Sequence, residues 1–387
     1  MRIPERVRAI ELPQFDLLND IADRWTARGA DVIRLGQALP GFDPPPMAVA
    51  ALRASLDDRS SHTYSSDAGI PELRHALAAS LRALGADLDP DNEIIISAGG
   101  NQAFQLAVTT LIDPGDEVIL VSPYFLNHEM AVRSVGAVPV EAPVPATRGF
   151  VPSWADIEPH LTPKTAAAVV VSPSNPTGAV IGGSELTRII SECAVRNIVV
   201  FVDETYLRFC YDSPPATAVG LPNWRNNVVV IGSFSKAFAI TGWRCGYLLA
   251  GPAAVAEAMK IQDCMVICAP VPVQRAVTAV LEREPDYPQR WLPELRERRD
   301  VLVGALNAVH GVTAVRPAGG FFVMARLDGV TDSRASAEEL INQQQVVTIP
   351  GRFFGKAGEG YLRISYGAAT PDRLEEACRR IEAYLSD

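Results

Sequence analysis

Between about residues 90 and 250, short β-branched runs alternate with stretches in which apolar residues recur at helical spacing. The runs at 93–97, 117–121, 138–141, 167–171, 198–202, 228–231 and 246–249 read as strands, and several are nearly continuous in apolar residues. Such continuity is what strands covered on both faces of a sheet require. Helical patterns fall between them at 101–111, 125–135 and 184–195, and Asp113-Pro114-Gly115 stops one helix and turns the chain into the next strand. The alternation predicts βαβ units and a mostly parallel sheet, an α/β fold.

The pattern changes near residue 285. Residues 285–310 carry many Arg and Glu at helical spacing, with Leu295, Val301, Leu302 and Leu306 available for a buried stripe. Strand patterns at 321–327 and 361–365 and an amphipathic helix over 372–385 complete a smaller α+β unit. At the other end, a helix over 15–28 and a strand at 32–35 precede a loop rich in Pro and Gly over 36–46. We expect three parts: an N-terminal segment, 1–44, packed with the last part; a large unit, 45–284; and a small C-terminal unit, 285–387.

A chain of 387 residues is long enough for two domains of roughly 100–200 residues each. Its 48% hydrophobic and 21% charged content is that of a globular protein with a large interior. A formal net charge of −10 argues against nucleic-acid binding, which needs clustered basic charge. Cys193, Cys210, Cys245, Cys264, Cys268 and Cys378 have no metal spacing, so we expect no metal and reduced thiols. The mixed charge of Met1-Arg2-Ile3-Pro4-Glu5-Arg6 is not that of a secretion signal, and no apolar run is long enough to span a bilayer. A cytoplasmic protein without membrane contact is the expectation.

Chemistry concentrates in one stretch, Ser233 to Arg244, which joins Lys236, the hydroxyls of Ser233 and Ser235, and Arg244. A lysine amine condenses with a carbonyl, and pyridoxal phosphate is the cofactor held that way. Hydroxyls and an arginine fork suit its phosphate. Taken alone, the stretch also fits a strand end followed by a loop with a surface lysine.

Other segments match the needs of that cofactor, each with a plainer alternative. Ser97-Ala98-Gly99-Gly100-Asn101 can bring backbone N–H groups to an anion at a helix start, or be only a turn. Asp203, at the end of the 198–202 strand, can face a pyridine nitrogen, or cap the next helix. Tyr206 and Asn175 can reach a phenolic oxygen, although Asn175-Pro176-Thr177-Gly178 is also a turn signal. Phe125 can stack on a ring or fill a core. Arg363 stands in an otherwise apolar strand, where a charge needs a partner, either a substrate carboxylate or an internal acid.

These motifs together resemble the class I, fold type I, pyridoxal-phosphate-dependent aminotransferases, over nearly the whole chain from about residue 33. The family's Ser-x-Ser-Lys with an arginine eight residues on is met by Ser233, Ser235, Lys236 and Arg244; Asn175–Gly178 matches its Asn-Pro-x-Gly, and Asp203 and Tyr206 its Asp-x-x-Tyr. The resemblance implies a large domain with a mostly parallel sheet and a smaller α+β domain. It makes Lys236, Asp203 and Tyr206 the catalytic group, with Lys236 forming a Schiff base to pyridoxal 5'-phosphate. Gly100, Asn101, Phe125, Asn175, Ser233, Ser235 and Arg244 would complete the cofactor site. Gly36, Asn175 and Arg363 would bind the substrate carboxylate. Tyr64, in Thr63–Arg74, matches a tyrosine that reaches the neighbouring subunit's phosphate, which implies a homodimer.

The implied reaction moves the amino group of an L-α-amino acid to an α-keto acid. Asn101 stands where some acid-preferring relatives carry a lysine, and Pro13 and Gln14 depart from the family pattern in the flap-like 10–15 segment. A neutral, aromatic or apolar donor side chain is therefore preferred to a dicarboxylate. The same cofactor serves eliminations such as C–S cleavage, cyclisations and racemisations, and the fold does not choose among them. A ligand sensor without turnover is a further reading, though the acidic balance and the lack of a basic helix–turn–helix candidate argue against it.

Overall fold

Val and Ile dominate the inner strands of the central sheet, where most positions are buried. The computed structural model describes residues 2–13 and 15–386; Gln14, part of the flap-like segment, lies outside the described residues. The strands, in chain order, are β1 (Ile33–Arg34), β2 (Ile94–Ser97), β3 (Glu117–Ser122), β4 (Val138–Pro143), β5 (Thr165–Val171), β6 (Val199–Asp203), β7 (Val228–Ser233) and β8 (Gly246–Ala250). After these come β9 (Val312–Ala314), β10 (Phe322–Leu327), β11 (Val346–Val347), β12 (Ile349–Pro350) and β13 (Tyr361–Ser365). Each strand expected between 90 and 250 is present, with its ends moved by two residues at most.

Seven strands form one sheet in the order β2-β8-β7-β6-β5-β3-β4. β4, β3, β5, β6 and β7 run parallel, and β8 is antiparallel to both β7 and β2. β2, β7 and β8 are buried at every position, and separate apolar clusters cover the sheet's two faces. Four more strands make an antiparallel sheet, β12-β13-β10-β9, with its own core. No helix among the described residues is long and apolar enough to cross a membrane.

The N-terminal segment joins the C-terminal part. β1 pairs in parallel with β11, and Leu18, Ile21 and Ala22 of the helix Phe15–Ala27 pack with Ile341, Val347, Ile349 and Phe354. Five helices longer than one turn escaped the pattern reading: Pro46–Leu56, Pro71–Arg82, Pro252–Met265, Val271–Arg283 and Ser333–Gln344. The first four open on a proline at N1 or N2, where a missing N–H costs nothing. Proline and glycine around them read as loop when only local punctuation is weighed.

The topology brings distant loops to one edge of the large sheet. Val171 pairs with Asp203 at the carboxyl ends of β5 and β6, and Ser233 ends β7 beside them. Because β8 is antiparallel, its first residue, Gly246, pairs with both Ser97 and Ser233. The loop after β2, the end of β7 and the arginine just before β8 therefore meet at one place.

Candidate active site

A cavity of about 730 Å³ opens at that edge. Among the described residues it takes in Lys236, Asp203, Tyr206, Asn175, Ser233 and Ser235. Gly36, Gly100, Asn101, Phe125, Arg244 and Arg363 also reach it. Tyr64 does not: it is 78% exposed and lies outside the cavity of its own chain.

The lysine loop is built by β7 and the short helix Phe234–Ala237. Ser233 ends the strand and its hydroxyl accepts from the Ser235 N–H at 3.2 Å, capping that turn. The turn presents Lys236, half-buried, whose Nζ donates to the Ala38 carbonyl at 2.8 Å. Burial, then the charges of Arg363 and Arg244, bring this amine down to about 8. The neutral form is the one that attacks a carbonyl. In the cofactor-free protein, acylation of Lys236 is therefore expected to rise with pH through about 8, well below the usual range for lysine. Mass-spectrometric labelling rates between pH 6 and 11 test this, and a midpoint above 10 would refute the charge crowding. The same shift acts on folding. The crowded ammonium destabilises the fold fully below about pH 8, and the penalty fades as pH rises from there towards the ordinary lysine value.

Arg244 precedes β8 in a left-handed conformation, φ 58°, which costs a non-glycine residue about 1 kcal/mol. Its Nη1 donates to the Thr241 carbonyl at 2.8 Å and lies 3.5 Å from Ser235 Oγ. The guanidinium lies against Gly99, where an added Cβ would sit 2.2 Å from Nη2. The guanidinium end could move aside for a side chain, but Gly99 has φ 90°, and that backbone conformation favours glycine at position 99. The helix Gly100–Leu111 starts there, turning its first free N–H groups toward the cavity.

Asp203 is 6% exposed, and its two oxygens are divided. Oδ1 accepts from the Thr205 N–H at 2.9 Å, so the residue does cap the turn after β6. Oδ2 lies 3.1 Å from His128 Nε2, which donates when the carboxylate is ionised. Burial favours the neutral acid, but the His128 hydrogen bond and charge and the Thr205 N–H outweigh it and hold the carboxyl below its ordinary value. Glu204, pointing the other way, accepts from Thr217 Oγ1 at 2.7 Å and the Ala218 N–H at 2.6 Å, and burial pushes it up to about 7. The strand's alternation thus separates an ionised acid facing the cavity from a structural one behind it.

Arg363, on β13, is 4% exposed. Its Nη1 donates to Asn175 Oδ1 at 3.0 Å and its Nη2 to the Gly36 carbonyl. Phe322 and Phe354 flank it at 4.9 and 5.0 Å, within cation–π range. No carboxylate pairs with it among the described residues, and its Nε has no partner. Burial lowers its pKa to about 10. The internal ion pair considered from sequence is absent. Burial raises Tyr206 well above an ordinary phenol, although Arg363 opposes the shift.

Sequence reasoning missed His128, Ala38 and Val171. His128 sits on the buried side of the helix Leu126–Ser134, 4.1 Å from the Phe104 ring. A histidine on an apolar face was the only sign of it. Ala38 and Val171 contribute backbone and bulk, which no motif marks.

The residues fit pyridoxal phosphate. Lys236, Arg244 and Arg363 put three cations without carboxylate partners among the described residues around one cavity, which suits a phosphate dianion and a carboxylate. Asp203 would supply the fixed negative charge that a protonated ring nitrogen needs.

The profile described as aminotransferase class I and II matches residues 30–381. The chain is 33% identical to aromatic-amino-acid aminotransferase 2 of Thermococcus litoralis, over 100% of this chain and 99% of that one. It is 32% identical to aspartate aminotransferase of Pyrococcus abyssi, with the same coverage. A solved structure of Thermus thermophilus aspartate aminotransferase with maleate superposes with a TM-score of 0.91 at 31% identity, covering 100% of both chains.

Proposed function

The chain belongs to the class I and II aminotransferases, and from that premise we propose that Lys236 carries the amino transfer. The observation behind this assignment is the lowered amine of Lys236 between two unneutralised arginines. Pyridoxal phosphate, when bound, supplies an aldehyde for amines and a ring that spreads charge from the substrate α-carbon. Ser233, Ser235, Arg244 and the N–H groups at Gly100 and Asn101 would hold its phosphate. Asp203, kept ionised by His128, would serve the ring nitrogen, Phe125 would stack on the ring, and Tyr206 and Asn175 would donate to its phenolic oxygen.

Arg363 and Asn175 fix the α-carboxylate, which orients the α C–H bond toward Lys236 Nζ. That amine, when free, would take the proton from the substrate α-carbon and return it two atoms along, beyond the nitrogen, to the carbon that the cofactor's aldehyde supplies. A group titrating near 8 does both at neutral pH. We propose a donor with a neutral, aromatic or apolar side chain, as Asn101 offers no cation and Phe15, Leu18, Phe125 and Ile349 line the cavity. The free cysteines suit a reducing compartment, the cytoplasm.

We take 45–284 as the large, cofactor-binding unit and 285–387 as the small C-terminal one, supported by the confinement of the seven- and four-stranded sheets to those ranges. Residues 1–44 join the latter through β1.

The test monitors the cofactor's visible absorbance in the purified protein. Single amino acids should bleach it, and a keto acid should restore it, with donor keto acid formed in equal amount. Ammonia release, cyclised product or racemised donor, without amination of an acceptor, would favour the other reactions of this cofactor.

The exposure of Tyr64 supports a homodimer in which it serves the partner's site. Tyr64→Ala and Lys236→Ala homodimers should both be nearly inactive, yet mixing them should restore about a quarter of wild-type activity, because half the hybrids' sites are then intact. No recovery on proven subunit exchange would place Tyr64 outside the partner's site.

A further inference from the structure

Six charged side chains line the described cavity: Lys236, Arg244, Arg363, Asp203, Arg34 and Asp16. On the proposed function, on which this inference rests, Lys236 and Arg244 serve the cofactor and Arg363 the α-carboxylate. Asp203 is held by His128. Arg34 is already paired, its Nη2 donating to Asp23 Oδ1 at 2.7 Å and to Thr26 Oγ1 at 3.2 Å. Asp16 remains. Among the described residues it has no hydrogen bond or ion pair, and Asn19, one turn further along the same helix, also lines the cavity. The polar edge of the helix Phe15–Ala27 therefore brings an anion, Asp16, exposed at the cavity mouth, and an amide beside the apolar cluster of Leu18, Leu126, Val347 and Ile349.

We propose that Asp16 is a specificity-determining residue that selects against a second carboxylate and lets the site accept side chains ending in an amine or guanidine as well as neutral ones. Like charges brought together across a binding surface are penalised, whereas an opposite charge at the same place is favoured. Both half-reactions use one cavity, so the preferred keto-acid acceptor is also monocarboxylic. An acid in a first helical turn also suits the helix dipole. That role changes stability and leaves charge selectivity alone, which separates the two.

The experiment compares the holoenzyme with its Asp16→Asn variant, using phenylalanine, lysine and aspartate as donors. Calorimetric binding of unreactive maleate and of 3-phenylpropionate accompanies it. Wild type should rank aspartate last. Asp16→Asn should raise the aspartate-to-lysine ratio of kcat/KM by roughly tenfold, with a similar gain in the affinity of maleate relative to 3-phenylpropionate. Ratios unchanged within about twofold would overturn the proposal. So would a wild-type preference for aspartate that is lost in Arg34→Ala, which would assign the side-chain contact to Arg34. Failure of every donor to transfer an amino group would refute the reaction assigned above, while the binding ratios would still decide the role of Asp16.

Discussion

Lys236→Ala is expected to lose at least about 10⁴-fold in kcat, because on the proposed function one amine serves both as the cofactor's anchor and as the proton carrier. Positioned proton transfer alone contributes about 10²–10⁴. The variant should still bind pyridoxal phosphate, more weakly, since Ser233, Ser235, Arg244 and the start of the helix Gly100–Leu111 are untouched. Spectral titration measures that binding, and single-turnover kinetics measure the loss. The substitution also removes this side chain's half-buried hydrogen bond to the Ala38 carbonyl, worth about 1 kcal/mol or less, together with the crowded ammonium that penalises the fold below about pH 8, so stability should be kept or rise there. A folded, cofactor-binding Lys236→Ala protein within tenfold of wild-type turnover would end the assignment.

Arg363→Met should divide activity from stability. Turnover is expected to fall by about 10²–10³-fold in kcat/KM, the cost of losing a buried charge-assisted grip on a carboxylate. Thermal stability should be kept or should rise, by up to about 2 kcal/mol. The reason is that the wild-type fold buries this guanidinium between two phenyl rings with no carboxylate to balance it, and an apolar side chain of similar length removes that desolvation cost. Unfolding midpoints and steady-state kinetics on the same preparation decide it. A destabilised Arg363→Met protein would mean that the contacts to Asn175 and Gly36 hold the fold together, and that Arg363 is structural first. Arg363→Lys is the finer probe. A single ammonium cannot reproduce the fork, so KM for the donor should rise more than kcat falls.

Lys236, Ser233, Ser235 and Arg244 were readable because they lie within one short stretch, where spacing along the chain is also spacing in space. The same holds for Asp203 and Tyr206, three residues apart on the turn after β6. Arg363 was readable for a different reason, as an anomaly, a charge inside an apolar strand. His128 carried no such mark. It lies 75 residues from Asp203 in the chain, and nothing local distinguishes it from any histidine packed on a helix face.

The central strands were written in the chain by continuous β-branched burial, and the lysine loop by its own spacing. The partnerships were left to the tertiary structure. The antiparallel entry of β8 sets Gly246 between Ser97 and Ser233, which brings Arg244 against Gly99. Whether Arg363 met an internal acid or none could only be settled once β13, Asn175 and Gly36 stood together, 188 and 327 residues apart in sequence. The neutral-leaning amine of Lys236 has the same origin. Its cause is burial first, then two cations delivered by separate elements into the same cavity, and neither burial nor distance through space is specified by sequence spacing.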